Sequence, residues 1–280
     1  MKTLVHISDL HFGCIDESLL APLRASIEEI SPALIAISGD LTQRARAHQF
    51  KAARAFLHSL KFPQLVVPGN HDIPLYNLAA RFFWPLRNYR RYIRHELAPL
   101  YADFEIVVAG INTARSLTIK AGRISDEQIE QTRNMLCAYR EDIVKIIVTH
   151  HPFDLPEGAE DHRDIVGRAR LAVQRFAACG ADVFLSGHMH QSHIGSTAVR
   201  YGDHGEHALI VHAGTATSVR QRGFANGFNV LHVESKRIVV EHHEWSTTEN
   251  AFKKIAARDF VRTEKGWLTE APAPSQAMHG

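Results

Sequence analysis

Cysteine is scarce in this chain of 280 residues: there are three, Cys14, Cys137 and Cys179, and no two stand in CxxC spacing. That excludes a zinc ribbon or an iron–sulfur protein, whose ligands are closely spaced thiolates. An odd number of distant cysteines also argues against a disulfide framework and predicts a reducing, cytoplasmic setting. An excess of charge of one sign is lacking too. Lys and Arg total 32 against 30 Asp and Glu, a net charge of +2, which speaks against a coat for nucleic acid and against an acidic disordered tail. No apolar run approaches the ~20 residues of a membrane helix. Met1-Lys2-Thr3-Leu4-Val5 runs directly into a strand pattern, so no signal-peptide core or cleavage site is expected. There is no internal repeat.

Histidine is what the chain has in surplus, with 19 residues. Any bound metal should therefore be held by imidazole and carboxylate. An apolar fraction of 45% at this length allows one large domain or two small ones. Short apolar runs at Leu4 to Ile7, Leu34 to Ile37, Leu65 to Val67, Ile106 to Val108, Ile143 to Val148 and Val183 to Leu185 alternate with amphipathic stretches, the pattern of strands joined by crossover helices. Ser125 followed by Gln128 marks a helix start, and a helix from about Gly167 to Ala178 stops at Gly180 in a left-handed cap. Phe50, Ala53, Leu57 and Leu60 form the core face of another helix.

Beyond residue 190 the runs Ile194 to Tyr201, His207 to His212, Gly227 to Glu234 and Arg237 to Glu244 read as antiparallel strands. Without a Pro/Ser-rich linker, these halves predict one α/β domain over residues 1–246 with two packed sheets. A helix over Asn250 to Val261 and a frayed tail complete residues 247–280.

Each strand end carries polar side chains. The first leads into Ser8-Asp9-Leu10-His11, the second into Ser38-Gly39-Asp40, and the third into Gly69-Asn70-His71-Asp72. The run ending at Val148 leads into Thr149-His150-His151, and the one ending at Leu185 into Gly187-His188-Met189-His190. Ligands of open α/β sheets bind beyond the carboxyl ends of strands, so these residues should meet in one crevice. Asp, His and Asn are N and O donors that suit Mn, Fe or Zn better than a Ca or Mg cage. Asp9, His11, Asp40, Asn70, His71, His150, His188 and His190 are eight candidates, more than one ion needs, so a two-metal site with Asp40 between the ions is expected. The glycines before Asp40, Asn70 and His188 fit tight strand-to-loop turns.

Asp9-x-His11, Gly39-Asp40, Gly69-Asn70-His71-Asp72, His150 and Gly187-His188-x-His190, in this order, resemble the five-block signature of the calcineurin-like metallophosphoesterases. The resemblance implies a four-layer α/β/β/α sandwich of two mixed β-sheets with a dinuclear metal site at the strand ends. It assigns Asp9, His11, Asp40 and His190 to one metal, and Asp40 with Asn70, His150 and His188 to the other. The cofactors so implied are two divalent or mixed-valence transition metal ions (Mn, Fe or Zn). His71 would contact the phosphate and protonate the leaving group, oriented by Asp72, and a metal-bridging hydroxide would be the nucleophile. The blocks Ser8-Asp9-Leu10-His11 and Gly39-Asp40-Leu41-Thr42 are similar to those of small bacterial phosphodiesterases, both the class III cyclic-nucleotide enzymes and the glycerophosphodiesterases. The implied reaction is phosphodiester hydrolysis, the substrate a cyclic nucleotide or another small diester.

A phosphomonoesterase, a lipid-linked phosphate hydrolase and an inactive scaffold are the alternatives. Intact His71 lowers the pyrophosphatases of lipid A synthesis, which carry Arg there, and the full ligand set lowers the scaffold. No stable nucleic-acid partner is expected, since nucleases of the family add a DNA-binding cap. The sequence fits a homodimer as well as a monomer. Segment 81–94 holds Arg81, Arg87, Arg90, Arg91 and Arg94 interleaved with Phe82, Phe83, Trp84, Tyr89 and Tyr92. It reads either as a helix packing its aromatics on the sheet, the reading placed slightly ahead, or as a substrate cap or peripheral membrane contact. His151 is expected to support a ligand, His193 to be exposed, and His212 to be either structural or site-facing. His242 and His243 should point to opposite faces of a strand. Cys14 reads as packing.

Overall fold

The apolar runs do become strands, and their brevity and composition explain why both faces of each are covered. The structure, a computed structural model, describes residues 1–156, 162–202, 207–219 and 223–269. The first unit is β1 (Lys2–Ile7), α1 (Leu20–Ile30), β2 (Leu34–Ser38), α2 (Ala47–Ser59) and β3 (Gln64–Val67). Two short helices, α3 (Leu78–Phe83) and α4 (Arg87–Tyr92), lead to β4 (Leu100–Ala102), β5 (Ile106–Gly110), α5 (Asp126–Cys137), β6 (Val144–Val148), α6 (Ala169–Ala177) and β7 (Ala181–Ser186). The last part comprises β8 (His193–Ser196), α7 (Thr197–Tyr201), β9 (Leu209–His212), β10 (Gly227–Glu234), β11 (Arg237–Ser246), β12 (Ala251–Thr263) and β13 (Gly266–Thr269).

These strands form two mixed sheets, ordered β13-β12-β11-β10-β1-β2-β3 and β4-β5-β6-β7-β9-β8. Strand alternation sorts the side chains into layers. Leu4, Leu34, Ala36, Leu65 and Val67 point inward against Ile106, Val108, Ile146 and Val183 of the other sheet. Their neighbours Val5, Ile7, Ile35 and Val66 point outward onto Leu23 and Ile27 of α1 and Phe50 and Ala53 of α2. On the far side Val107, Ile147 and Phe184 meet Ile129 and Leu136 of α5 and Ala172 and Phe176 of α6. The result is the expected α/β/β/α sandwich, each buried aliphatic side chain contributing about 1.5–3 kcal/mol. α5 starts on the anticipated cap: Ser125 Oγ accepts from Gln128 N at 3.2 Å and Gln128 Oε1 from Ser125 N at 3.0 Å. Gly180, after α6, takes φ +73°.

Four expectations are corrected. Residues 251–263 are the strand β12, paired along its length with β11, where the sequence predicts a helix over Asn250 to Val261. The helical spacing of Phe252, Ile255 and Ala256 is overridden because β11 offers a continuous row of backbone partners. The first sheet thus continues past residue 246; the tail beyond 269 lies outside the described residues. The run Ile194 to Tyr201 is divided between β8 and α7, with Ser196 Oγ capping the helix through Ala198 N. β9 joins β7 in parallel and β8 antiparallel, so it keeps the antiparallel reading on one side alone, while β10 and β11 keep it with each other.

The fourth correction concerns the cysteines. α5 and α6 lie side by side on the second sheet, which brings Cys137, at the end of one, to a Cα–Cα distance of 4.8 Å from Cys179, beyond the end of the other; the two form a disulfide. Sequence spacing carried no sign of this contact, and the argument for a reducing compartment falls with it. Among the described residues no helix is long and apolar enough to cross a membrane.

Candidate metal centre

Parallel strands β1, β2 and β3 of one sheet and β6 and β7 of the other end on the same side of the sandwich, and each releases its polar block there. Asp9, His11, Asp40, His188 and His190 leave their strands in the left-handed backbone region, with φ between 50° and 71°. That turn swings each side chain off the strand direction and into the space between the sheets. Gly39 shares the region at φ +92°. Gly69 and Gly187 are required for a different reason, close approach. A Cβ on Gly187 would lie 1.8 Å from Ser8 Oγ and 2.4 Å from Asp9 Oδ2, and one on Gly69 would lie 2.1 Å from Asp40 Oδ1.

The donor atoms form two overlapping clusters. In the first, His11 Nε2 and His190 Nε2 are 3.1 Å apart, and Asp9 Oδ1 lies 3.5 Å from the former and 3.3 Å from the latter. In the second, His150 Nε2 lies 3.0 Å from Asn70 Oδ1 and 3.3 Å from His188 Nδ1. Asp40 Oδ2 stands between them, 3.8 Å from His11 Nε2 and 3.4 Å from His150 Nε2. All seven of these side chains are buried.

These residues fit bound cations. Asp9 Oδ2 accepts from Ser8 Oγ (2.6 Å) and His188 N (2.9 Å), but Asp9 Oδ1, equally buried, has no hydrogen-bond partner. Its neighbours there are the His11 and His190 ring nitrogens at 3.5 and 3.3 Å, and a buried carboxylate oxygen without a hydrogen bond is costly unless positive charge, as protons or a metal ion, stands beside it. The tautomers agree. His150 Nδ1 donates to the Ser38 carbonyl at 2.8 Å, so a neutral ring turns the Nε2 lone pair towards Asp40 and Asn70. Burial opposes charge on Asp40, yet the His150, His71 and His11 imidazoles outweigh it and hold the carboxyl far below its usual range. Burial likewise opposes a proton on His150, and the Asp40 charge overcomes it, raising His150 to about 9. The cluster demands positive charge, as protons or as metal.

His71 is half-buried beside the clusters. Its Nδ1 donates to the Gln43 carbonyl at 2.9 Å, leaving Nε2 4.0 Å from Asp40 Oδ2. Burial, ahead of the opposing Asp40 charge, lowers its pKa. Asp72 does not orient this ring. Its carboxylate accepts from Thr42 N (2.9 Å), Thr42 Oγ1 (2.9 Å), Leu41 N (3.2 Å) and Gly69 N (3.0 Å), clamping the loop after β2 to the turn after β3. Burial and the Asp40 charge raise Asp72 to about 7 against those bonds. The ring's orienting partner is Gln43, invisible to sequence reading because the contact is through a backbone carbonyl.

Other histidines take supporting places. His151 Nε2 donates to the Lys120 carbonyl (2.6 Å) and its Nδ1 accepts from Thr113 Oγ1 (2.7 Å), which occupies both nitrogens of the neutral ring. Asp164, missed in the sequence, puts Oδ1 3.3 Å from His188 Nε2. His193 is half-buried rather than exposed, paired across β8 and β9 with His212. His212 is fully buried with neither ring nitrogen hydrogen-bonded, and among the described residues it falls in none of the metal-capable clusters. His242 turns to Asn229 Oδ1 (2.9 Å) while His243 stacks on Phe228, the opposite faces anticipated.

A four-layer sandwich with Asp, Asn and His gathered at the ends of β1, β2, β3, β6 and β7 has the architecture and donor set of the metallophosphoesterase fold. A family model of the calcineurin-like phosphoesterases matches residues 2–192, and the chain belongs to that family. It is 34% identical over 82 residues to the glycerophosphodiester phosphodiesterase GpdQ of Enterobacter lignolyticus, covering 25% of this chain and 29% of that one. It is 26% identical over 160 residues to a probable cyclic nucleotide phosphodiesterase of Vesicomyosocius okutanii, covering 54% and 61%. The match spans less than two thirds of either curated relative. The solved structure of PhoD shares the fold, with a TM-score of 0.68 at 11% identity over 99% of this chain and 72% of that one.

Proposed function

We propose that the chain hydrolyses phosphodiesters with two first-row transition metal ions, Mn, Fe or Zn. Asp9, His11, Asp40 and His190 would hold one ion, and Asp40, Asn70, His150 and His188 the other. The observation that carries this reading is the position of Asp40, one carboxylate oxygen within 4 Å of an imidazole nitrogen from each cluster. Such a pair of ions supplies acidified water and neutralises charge on the phosphoryl oxygens.

The chain's own residues do the rest. Ser8 and the His188 amide fix Asp9, the Ser38 carbonyl fixes His150, and Asp72 holds the Asp40 loop against the His71 turn, so little reorganisation accompanies reaction. His71, with Nδ1 committed to Gln43, presents Nε2 to the site, where a proton carried there passes to the departing oxygen. Arg44 and Arg81 line the adjoining cavity with Asn70 and His71 and add positive charge near the phosphate.

A small diester, a cyclic nucleotide or glycerophosphodiester, is the first substrate reading and accords with the names of the relatives. A second, phospholipid-directed reading is favoured by the apolar wall of that cavity, Ile73, Leu75 and Ile119. Metal-reconstituted protein is expected to hydrolyse bis(p-nitrophenyl) phosphate, and Asn70→Ala to lose about 10²-fold or more in rate together with part of its bound metal. Inactivity of the wild type across cyclic nucleotides, glycerophosphodiesters and phospholipids, with Asn70→Ala binding metal equally well, would overturn the reading. Faster turnover of monoesters than diesters would replace it with a phosphomonoesterase.

A further inference from the structure

Beside the mouth of the metal centre the chain exposes side chains that a sandwich core would normally absorb. Leu78, Phe82, Phe83 and Trp84, on and just after α3, and Leu117 and Ile119, on a facing loop, are between 51% and 85% exposed. This reverses the packing expected for segment 81–94, in which aromatics face the sheet and arginines face water. α4 follows that rule: Tyr89 is buried, its hydroxyl donating to the Val66 carbonyl at 2.9 Å. At α3 it is Arg81 that lies inside and the aromatics that stand out.

The inward Arg81 explains how the two exposed groups come together. Its guanidinium donates to the carbonyls of Ser116 (2.8 Å), Pro74 (3.0 Å) and Thr118, which pins the 116–118 loop against α3. Asn70 Nδ2 donates to the Ile119 carbonyl at 3.2 Å and ties the same loop to the metal centre. The apolar side chains therefore form one face adjoining the mouth. Arg87, Arg90 and Arg91 of α4, which follows, are exposed, and no acidic residue occurs from Ile73 to His95; Arg94 turns away to the Gln64 carbonyl at the start of β3, and Glu96 lies within electrostatic reach of Arg90.

We propose that this face docks the protein on an anionic lipid bilayer. The aromatic and aliphatic side chains enter the headgroup region, the arginines meet lipid phosphates, and the mouth of the metal centre comes to rest at the surface. Three features favour lipid over a protein partner. Trp and Phe flanked by Arg without acid is the composition of interfacial anchors. The like charge suits the anionic surface of a membrane. Leu78, Phe82, Phe83, Trp84 and Leu117 stand out into solvent, and Ile119 alone of the six also borders the cavity beside His71, which fits a fluid surface better than a partner helix. With no membrane-crossing helix among the described residues, the contact is peripheral. The proposal concerns binding and holds whichever ester is cleaved.

The test uses the metal-loaded full chain with vesicles of phosphatidylcholine alone, or with one quarter phosphatidylglycerol, read by sedimentation and tryptophan emission. Trp267 is buried and Trp245 half-buried, so Trp84 is the exposed indole and should shift to the blue on binding. Binding to the mixed vesicles is expected to be at least tenfold tighter than to phosphatidylcholine. The double variant F83S/W84S should lose at least tenfold of that binding and still hydrolyse soluble bis(p-nitrophenyl) phosphate at the wild-type rate. R87E/R90E/R91E, checked for folding by circular dichroism, should lose the preference for anionic lipid. Wild type that stays in the supernatant with anionic vesicles, or F83S/W84S that binds undiminished, would overturn the proposal. So would a wild-type dimer that F83S/W84S dissociates without any vesicle binding, which would give the face to a second copy. Vesicle binding without hydrolysis of any ester would support docking and count against the catalytic reading alone.

Discussion

Asp9, His11, Asp40, His188 and His190 occupy a backbone region that costs non-glycine residues about 1–2 kcal/mol each. Such conformations persist where the surroundings over-determine them, and here hydrogen bonds from Ser8, His188 N and His71 N do so. The identities of the donors were legible because a polar residue after an apolar run is a local signal. Gln43 and Thr113 were not, since one acts through its carbonyl and the other through a hydroxyl that any loop carries. The prediction at this scale concerns His71. His71→Asn is expected to slow hydrolysis of diesters with alkyl leaving groups by about 10²–10⁴-fold and nitrophenyl diesters much less, because only basic alkoxides need the proton. Measured rates against leaving-group pKa check it; an equal loss for all esters would leave His71 as a positioning residue.

Among the elements, β12 shows why a segment's composition can mislead. Ala, Lys and Arg over residues 251–258 favour a helix, but pairing with β11 is a long-range gain that propensity does not register. α3 misleads in the same way, since burial of Arg81 depends on carbonyls at 116 and 118, more than thirty residues away. The link between the ends of α5 and α6 closes a loop with a sequence separation of 42 residues. In the chain-entropy account that constraint is worth up to about 4 kcal/mol. Cys137→Ser, or reduction of the wild type, is accordingly expected to lower the thermal midpoint by several degrees with little effect on nitrophenyl diester turnover. Differential scanning calorimetry with and without reductant measures it, and an unchanged midpoint would show that the bond adds no stability.

Across the whole molecule, the two sheets bury ionisable rings as well as aliphatic ones. Burial lowers His6 and His212 to about 3, so both are neutral when folded and gain protons near pH 6.5 when unfolded. The unfolded state then binds more protons between pH 6.5 and 3, and stability is full above that window and falls as pH drops through it, by a few kcal/mol for each ring at most. Urea midpoints of metal-free protein should decline over this range, and His212→Asn should flatten the slope. An identical slope in the variant would assign acid sensitivity to other groups.

The sequence by itself determined the donor types and much of the alternation of strands and helices, because donor type, strand period and polar strand ends are properties of short segments. Only the tertiary structure decided that five strand ends from two sheets meet around Asp40, that Asp72 clamps loops rather than a ring, that Cys137 reaches Cys179, and that α3 turns its aromatics outward. Each of those outcomes rests on atoms far apart in the chain, whose approach is set by how the layers pack, and no local pattern encodes that distance.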